Sequence, residues 1–270
     1  AATAPPGKGS LLFVGNSYRA PPAAANEPRE IVEAPLPLVE KDRQAMVERN
    51  QGRLFAAVLC AVEREFEALM RAIPPAEPVR HNQYHATLPD GRRILVCRLS
   101  SMGNQQAAIA ATKLIHSHHP QNILLVGIAG GFPSDDRRLG DILIADQVVA
   151  YELAKLKGEA VELRPQAYRS SFELVQAAEA VARKGEWLTR VSVQPPKPRP
   201  AGSDLHIGTI LSGDKVVAKT GFLETFRAAW TTITGIEMEA AGVMTAVHLS
   251  SHQPRFIMVK AICDYADEAK

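Results

Sequence analysis

The chain has 270 residues, of which 46% are apolar and 22% charged, and its formal net charge is +2. That length suffices for one large domain with a sizeable core, and the near-neutral charge gives no reason to expect nucleic acid or an anionic membrane as a partner. The three cysteines lie in apolar runs without metal-binding spacing, which predicts buried, reduced thiols in a cytoplasmic protein.

The N-terminal segment, residues 1–50, is rich in proline, alanine and charged side chains. Such a segment buries little apolar surface, so a leader or linker is predicted. Its apolar patch from Leu11 to Val14 is far too short to cross a membrane. A catalytic domain is predicted for residues 51–270. Because the chain begins at Ala1 and stops just past a strand-like run, we expect further domains in a longer protein.

Short, unbroken apolar runs predict strands that are covered on both faces. They are Leu54 to Cys60, Ile94 to Leu99, Asn122 to Ile128, Asp141 to Ala145, His206 to Leu211 and Phe256 to Ile262. Helical spacing predicts helices from Val62 to Ile73, Asn104 to Ile115, Leu174 to Val181 and Met238 to Leu249. This alternation predicts an α/β sandwich with a mostly parallel or mixed sheet.

Three features concern the ends of the predicted helices. Asn104 is expected to cap the second helix, and Ser170 to Glu173 is expected to form a capping box before the third. His116, His118 and His119 lie at the end of the second helix. Their position favours a solvated helix terminus over a metal site.

Four segments after the predicted strands contain residues suited to a ligand site. The glycine turn GIAGG lets a backbone approach a ligand, although it lacks the third glycine of a dinucleotide motif. Glu237 and Glu239 precede a nearly all-apolar helix; buried carboxylates need partners, and a sugar diol offers two donors. Asp264 ends an apolar strand, where α/β sheets hold ligands, although a helix-capping role is the alternative. Glu65 is either a site residue or a first-turn residue favoured by the helix dipole.

Together the strings GIAGG, SGDKVV (Ser212 to Val217), GIEMEAAGV and AICDYAD resemble the nucleoside phosphorylase and 5′-methylthioadenosine/S-adenosylhomocysteine nucleosidase superfamily in order and rough spacing. The resemblance covers residues 54–270, without the family's usual last helix after Lys270. It implies a three-layer α/β/α sandwich with a central mixed sheet, nucleoside phosphorylase-like. It also implies an enzyme that needs no metal or organic cofactor, acts on a small-molecule purine nucleoside or nucleotide, and forms a homo-oligomer, a dimer or a hexamer.

The resemblance implies a role for each matching residue. Glu239 would grip the ribose 2′ and 3′ hydroxyls, Met238 would pack under the sugar, and Glu237 would be an accessory acid. Asp264 would protonate or hydrogen-bond purine N7. The remaining substrate-contacting residues implied by the match are Val216, Val217, Ser101, Met102 and Gly130, with a valine at 216 where the family commonly has an aromatic residue.

The match favours hydrolysis, because Glu65 falls where the nucleosidases have the glutamate that activates water. Leu125 and Ile128, which occupy the approximate positions of phosphorylase phosphate ligands, cannot bind phosphate. Arg64 keeps a phosphate-dependent purine nucleoside phosphorylase as an alternative. A second alternative is a nucleotide-sensing module of a larger, multidomain defence-type protein.

Basic side chains near the implied 5′ side of the sugar suggest a nucleotide substrate. Lys215, Arg164 and Arg169 are candidate phosphate ligands, and the basic, proline-rich residues 184–204 lie between Arg169 and Lys215. The hypothesis is therefore release of free base from an adenine nucleoside or nucleotide, with ATP as a candidate. The alternative is that these are solvated surface charges, each worth little.

Overall fold

The computed structural model describes residues 54–132, 134, 136–158, 160–191, 202–219, 221–222, 224–227 and 229–268. Twelve strands lie in the described part: β1 Ala56–Cys60, β2 Ala76–Arg80, β3 Gln83–Thr87, β4 Arg93–Arg98, β5 Asn122–Gly131, β6 Ile142–Ala150, β7 Ala154–Lys157, β8 Ala160–Leu163, β9 Gln166–Arg169, β10 Leu205–Ser212, β11 Ile233–Glu237 and β12 Arg255–Asp264. The helices described are α1 Glu63–Ala72, α2 Asn104–His118, α3 Phe172–Lys184, α4 Glu224–Arg227 and α5 Ala240–Leu249, with a 3₁₀ turn at Glu186–Arg190.

The central sheet is mixed, as the sequence predicts. Its strands follow the order β11-β10-β6-β12-β5-β1-β4-β3-β2, with β9 paired to β6. Parallel pairings join β4, β1, β5 and β12, and also β6, β10 and β11, whereas β6 and β12 run antiparallel. Gly130 and Gly131 of β5 also pair with β11 in antiparallel orientation. This pairing joins the first and last strands of the run β11-β10-β6-β12-β5. Five strands, β5, β12, β6, β10 and β11, thereby close into a ring.

Helices cover both faces of this sheet. Neighbouring residues of a strand point to opposite faces, and in β1 Leu59 packs with the α2 and α5 side chains while Val58 packs with the α1 side chains. Likewise, Met258 of β12 lies in the α2 and α5 cluster, whereas Ile257 packs with Val175 of α3. The three-layer α/β/α arrangement follows, and unbroken apolar runs are what such doubly covered strands require.

All six predicted strands and all four predicted helices are present, with small differences at their ends. The sequence did not predict β2 and β3, β7 to β9, or β11, because polar or charged side chains interrupt each of these short segments. The α2 helix ends at His118, and His119 adopts the left-handed conformation (φ 44°) that terminates helices. The predicted leader, residues 1–50, lies outside the described residues, as does much of the predicted basic loop. None of the described helices is long and apolar enough to span a membrane.

The structure corrects both predicted helix caps. The N-cap of α2 is Gly103, and the Asn104 side-chain oxygen instead accepts bonds from the Gly242 N–H (2.7 Å) and the Ser212 hydroxyl (3.1 Å). Ser171 does occupy the N-cap of α3, but its hydroxyl accepts a bond from the Phe256 N–H (3.0 Å) rather than from its own helix. In both cases a tertiary partner takes the oxygen that a local cap would use.

Candidate active site

A cavity of about 290 Å³ opens at the carboxyl ends of β5, β10, β11 and β12. The predicted site residues that line it are Glu65, Met102, Gly130, Lys215, Val216, Val217, Glu237, Met238, Glu239 and Asp264. Its remaining lining residues are Ala61, Val62, Ile128, Ala129, Ile236 and Cys263. The predicted residues Ser101, Arg64, Arg164 and Arg169 are not among the lining residues.

Glu65 is held at the cavity wall by backbone N–H groups. Its Oε2 accepts bonds from Ala61 (2.7 Å) and Val62 (3.0 Å), and its Oε1 accepts one from Ile128 (2.8 Å). The first two bonds belong to the start of α1, whereas the third comes from β5. Glu65 therefore links the helix to the glycine turn as well as closing its own first turn.

The place of Glu65 depends on a glycine in β5. A Cβ at Gly127 would lie 2.1 Å from Glu65 Oε1, closer than any real contact of this kind. Only glycine leaves room for the carboxylate against this strand. The first glycine of the GIAGG string thus makes space for a carboxylate of the protein itself.

A second acidic group lies at the start of α5. Glu237, the last residue of β11, accepts bonds from the N–H groups of Glu239 and Ala240, all at 3.0 Å. Glu239 Oε1 accepts a bond from Gly103 N–H (3.2 Å), which ties it to the start of α2. Both carboxylates are buried, at 5% and 4% exposure, so each needs a compensating partner.

That partner is Lys260 of β12, which is 2% exposed. Its Nζ donates to Glu237 Oε2 at 2.9 Å and to Glu239 Oε2 at 2.8 Å. Burial by itself lowers the pKa of Lys260, but the two carboxylates outweigh it and hold the pKa above its ordinary value. Burial raises the pKa of Glu239; the Lys260 charge opposes the rise and the Glu237 charge adds to it. One cation is shared between two acids.

The start of α5 packs directly on the start of α2. A Cβ at Gly242 would lie 2.0 Å from the Asn104 carbonyl oxygen, so this close approach requires glycine. The Ala241 N–H donates to the Ser212 hydroxyl (3.0 Å), and that hydroxyl donates to Asn104. The first N–H groups of α5 are therefore satisfied by β10 and α2, which fixes the direction in which Glu239 projects.

Asp264 enters the cavity from a bulge in β12. Ile262 pairs with Ala129 and Asp264 pairs with Gly130, so Cys263 is an extra residue relative to β5. A bulge of this kind redirects the side chains that follow it. The Asp264 Oδ1 accepts a bond from the Ala266 N–H (2.8 Å), and the Cys263 thiol donates to Oδ2 (3.2 Å).

Comparison with known proteins assigns the family. The family model described as "Phosphorylase superfamily" matches residues 56–270. The chain belongs to this superfamily. The 5′-methylthioadenosine/S-adenosylhomocysteine nucleosidase of Lysinibacillus sphaericus is 26% identical over 222 residues, which cover 78% of this chain and 86% of the relative. The ATP nucleosidase Cap17 of Escherichia coli is 29% identical over 190 residues, covering 65% of this chain but 37% of the relative.

Solved structures confirm the phosphorylase-superfamily fold. The 5′-methylthioadenosine/S-adenosylhomocysteine nucleosidase of Neisseria meningitidis, solved with methylthio-immucillin-A, has a TM-score of 0.63 at 24% identity and covers 80% of this chain and 87% of its own. The corresponding nucleosidase of Colwellia psychrerythraea, solved with adenine, has a TM-score of 0.63 at 23% identity, with coverage of 80% and 84%. These likenesses concern the fold.

Lys260 is a site residue that the sequence analysis did not predict. The signal was present, because a lysine interrupts the apolar run of Phe256 to Ile262. A lysine inside a doubly covered strand must find a carboxylate, and the string GIEMEA contains two. Pairing these two observations would have placed the three side chains together.

The cations predicted to bind phosphate are paired with carboxylates. Lys215 lines the cavity, and its ammonium contacts Glu152. Two exposed arginines outside the lining pair with neighbouring acids: Arg164 with Glu162 at 3.3 Å, and Arg169 with Asp146 at 3.5 Å. Arg64 is exposed on α1.

The cysteines differ from the prediction of three buried thiols. Cys60 and Cys97 are buried, but Cys263 is exposed because the β12 bulge turns it out of the sheet. Burial raises the pKa of Cys60 to about 12, which keeps that thiol protonated. Among the described residues, no cluster of three or more histidines, cysteines and acids has the geometry to hold a metal ion.

Proposed function

We propose that this protein is a purine nucleosidase that hydrolyses the N-ribosidic bond of an adenine nucleoside or nucleotide and releases the free base. One observation supports this above all: the carboxylates of Glu65, Glu239 and Asp264 line a single, otherwise mostly apolar cavity. The kinship with nucleosidases agrees with it.

Each carboxylate suits one requirement of the reaction. Cleavage leaves positive charge on the sugar and sends the bonding electron pair to the base. In the proposed mechanism Asp264 delivers a proton to purine N7, so the base departs neutral. Glu239 accepts the ribose hydroxyls and stabilises the positive sugar. Glu65 takes a proton from the water whose oxygen bonds to the anomeric carbon.

Water is favoured over phosphate as the nucleophile. A phosphate beside the sugar would meet the Glu65 carboxylate, which already accepts the Ile128 N–H. Among the lining residues, Lys215 is the cation, and it is engaged by Glu152. A bound phosphate needs several donors or cations, and the cavity wall offers mainly carboxylates.

A nucleotide substrate is the finer version of the proposal. The 29% identity to an ATP nucleosidase favours it, and Lys215 at the cavity wall provides a cation within the lining. In that version the 5′ phosphates displace Glu152 from Lys215. Because the match spans 37% of that relative, a module that senses nucleotides within a larger protein is the second candidate.

The deciding experiment incubates the protein with adenosine and with ATP, with and without phosphate, and separates the products by chromatography. We expect free adenine and free sugar at a rate independent of phosphate. A sugar 1-phosphate formed only with phosphate would establish a phosphorylase instead. Binding of either compound, measured by calorimetry, without release of adenine would favour the sensing module.

A further inference from the structure

Three buried charges form one connected unit: Lys260 in the middle of β12, Glu237 at the end of β11 and Glu239 at the start of α5. Lys260 Nζ bonds to both Glu237 and Glu239, and Glu237 also accepts the N–H of Glu239 itself. Glu237 and Glu239 both line the cavity. One oxygen of Glu239 accepts a bond from Gly103 N–H, and its other oxygen accepts one from Lys260. The unit contains two carboxylates and one ammonium, so it has an excess negative charge when all three are ionised.

Neither Lys260 nor the bond network around Glu237 is explained by packing alone. A lysine of 2% exposure within β12 loses its hydration, and replacing such a buried ion pair by apolar residues is often neutral or stabilising. Glu237 has its carboxylate filled by two N–H groups and the ammonium, which leaves it little capacity for a ligand. Glu239 accepts fewer bonds, and its side chain is 5% exposed against 1% for that of Glu237.

We propose that Lys260 is a positioning residue that keeps Glu239 ionised and aimed at the ribose site, with Glu237 as the counter-charge that anchors Lys260. This rests on the proposed function, because the ribose hydroxyls are the groups that Glu239 would receive. Glu237 then has a role beyond that of an accessory acid: it sets how much of the lysine charge reaches Glu239.

The charges that face Glu239 come from three elements. Lys260 of β12 lowers the pKa of Glu239, and Glu237 of β11 raises it. The Gly103 N–H at the start of α2, which is a dipole rather than a full charge, also lowers the pKa of Glu239. Glu65 of α1 interacts with the same lysine. Only the ionised form of Glu239 is an acceptor at both oxygens, and this is the form that suits two ribose hydroxyl donors. Activity should therefore rise with pH through the Glu239 titration, and the neighbours should move that acid limb in opposite directions.

The test compares two variants with the wild type over a range of pH. Lys260→Met removes the charge that lowers the Glu239 pKa, so the acid limb of kcat/KM for adenosine moves to higher pH. Glu237→Gln removes the charge that raises it, so the limb moves to lower pH. At neutral pH Lys260→Met should lose about 10- to 100-fold in kcat/KM, since a hydrogen bond to a charged group is removed. Lys260→Arg should restore most of that loss.

Lys113→Met provides the matched control, because Lys113 is an exposed lysine of α2. It should retain the wild-type rate and pH profile. If Lys260→Met does not fold, the acid limb of kcat/KM in Glu237→Gln still tests the inference, since that variant keeps the Lys260–Glu239 pair. Wild-type limbs in the variants that fold would overturn the inference.

A readout without turnover separates this inference from the proposed function. Carbon-13 NMR of protein labelled at glutamate carboxyl groups follows the Glu239 titration directly, with Glu239→Gln used to assign its signal. We expect a lower Glu239 pKa in Glu237→Gln than in the wild type. If the wild type cleaves no nucleoside but this shift is present, the proposed function fails and the charge coupling stands. If cleavage occurs and no shift is seen, the coupling fails alone.

Discussion

At the scale of single residues, the three cavity carboxylates are fixed in different ways. Glu65 accepts three backbone N–H bonds, Asp264 accepts one backbone N–H and a thiol, and Glu239 depends on one N–H and a buried ammonium. A carboxylate held by three backbone donors keeps a fixed position, which suits a base. Asp264 lies in the cavity lining at the end of a bulged strand, a position that suits proton delivery to a ligand.

The substitution Asp264→Asn tests that assignment. Asparagine keeps a side-chain oxygen for the Ala266 N–H, so the fold and the melting temperature should hardly change. It cannot transfer a proton to the base, so adenine release should fall by about 10²–10⁴-fold, the usual worth of general acid catalysis. The measurement is single-turnover release of adenine followed by chromatography.

The control for this variant is Asp267→Asn, which changes another acid of the same segment outside the cavity lining. It should leave adenine release within about twofold of the wild type, because Asp267 does not line the cavity. Wild-type turnover in Asp264→Asn would remove Asp264 from the role of general acid.

At the scale of elements, the site depends on close contacts between strand and helix rather than on any one loop. Glu65 joins α1 to β5 because Gly127 leaves space, and Gly242 lets α5 approach α2. These two contacts set the separation between Glu65, which would activate the water, and Glu239, which would bind the ribose. A methyl group at either glycine would disturb packing that is as dense as an organic crystal.

The substitution Gly127→Ala tests the first contact. Its Cβ would overlap Glu65 Oε1, so the carboxylate must move and release the Ile128 N–H. We expect a stability loss of about 2 kcal/mol, from one buried charge-assisted bond and local strain. Turnover should fall by about tenfold or more, because the water-activating group is displaced. Thermal unfolding and adenine release are measured on the same sample.

Gly185→Ala separates the two effects. Gly185 ends α3 at φ 67° and no described atom lies within 4 Å of its added Cβ, so alanine there costs only backbone strain. It should lower the melting temperature and leave turnover per folded molecule unchanged. Equal loss of turnover in both variants would mean that Gly127 acts through stability alone.

The sequence predicts elements well where an apolar run is unbroken and poorly where polar residues interrupt it, as in β11, which is buried throughout. The long apolar runs specify β1, β4, β5, β6, β10 and β12, but the short edge strands have no comparable run. The family strings locate the cavity residues, since each string sits at a strand end. The exposure of Cys263 depends on a bulge, which a single sequence does not reveal, whereas Lys260 was signalled by its place within an apolar run. The side chains of Asn104 and Ser171 bind distant partners, so local capping rules mispredict them.

At the scale of the whole molecule, the charge distribution bears on substrate choice. The chain has a formal net charge of +2, yet the cavity lining contains Glu65, Glu237, Glu239 and Asp264 against Lys215, with Lys260 behind them. A positive sugar is favoured inside such a cavity. Within this lining, negative phosphates are favoured only beside Lys215, whose ammonium contacts Glu152.

The nucleotide hypothesis therefore predicts that phosphorylated substrates depend on Lys215 and on salt. Rates are compared for ATP, AMP, adenosine and methylthioadenosine at low and high ionic strength. Lys215→Met should lower kcat/KM for ATP by about tenfold, the worth of a charge-assisted bond, and leave adenosine within about twofold. Added salt should slow ATP but not adenosine, because exposed charges are screened within about 10 Å at 0.1 M. Lys184→Met, at an exposed lysine of α3, should change neither substrate. Much faster cleavage of methylthioadenosine than of any phosphorylated substrate would restrict the proposal to nucleosides.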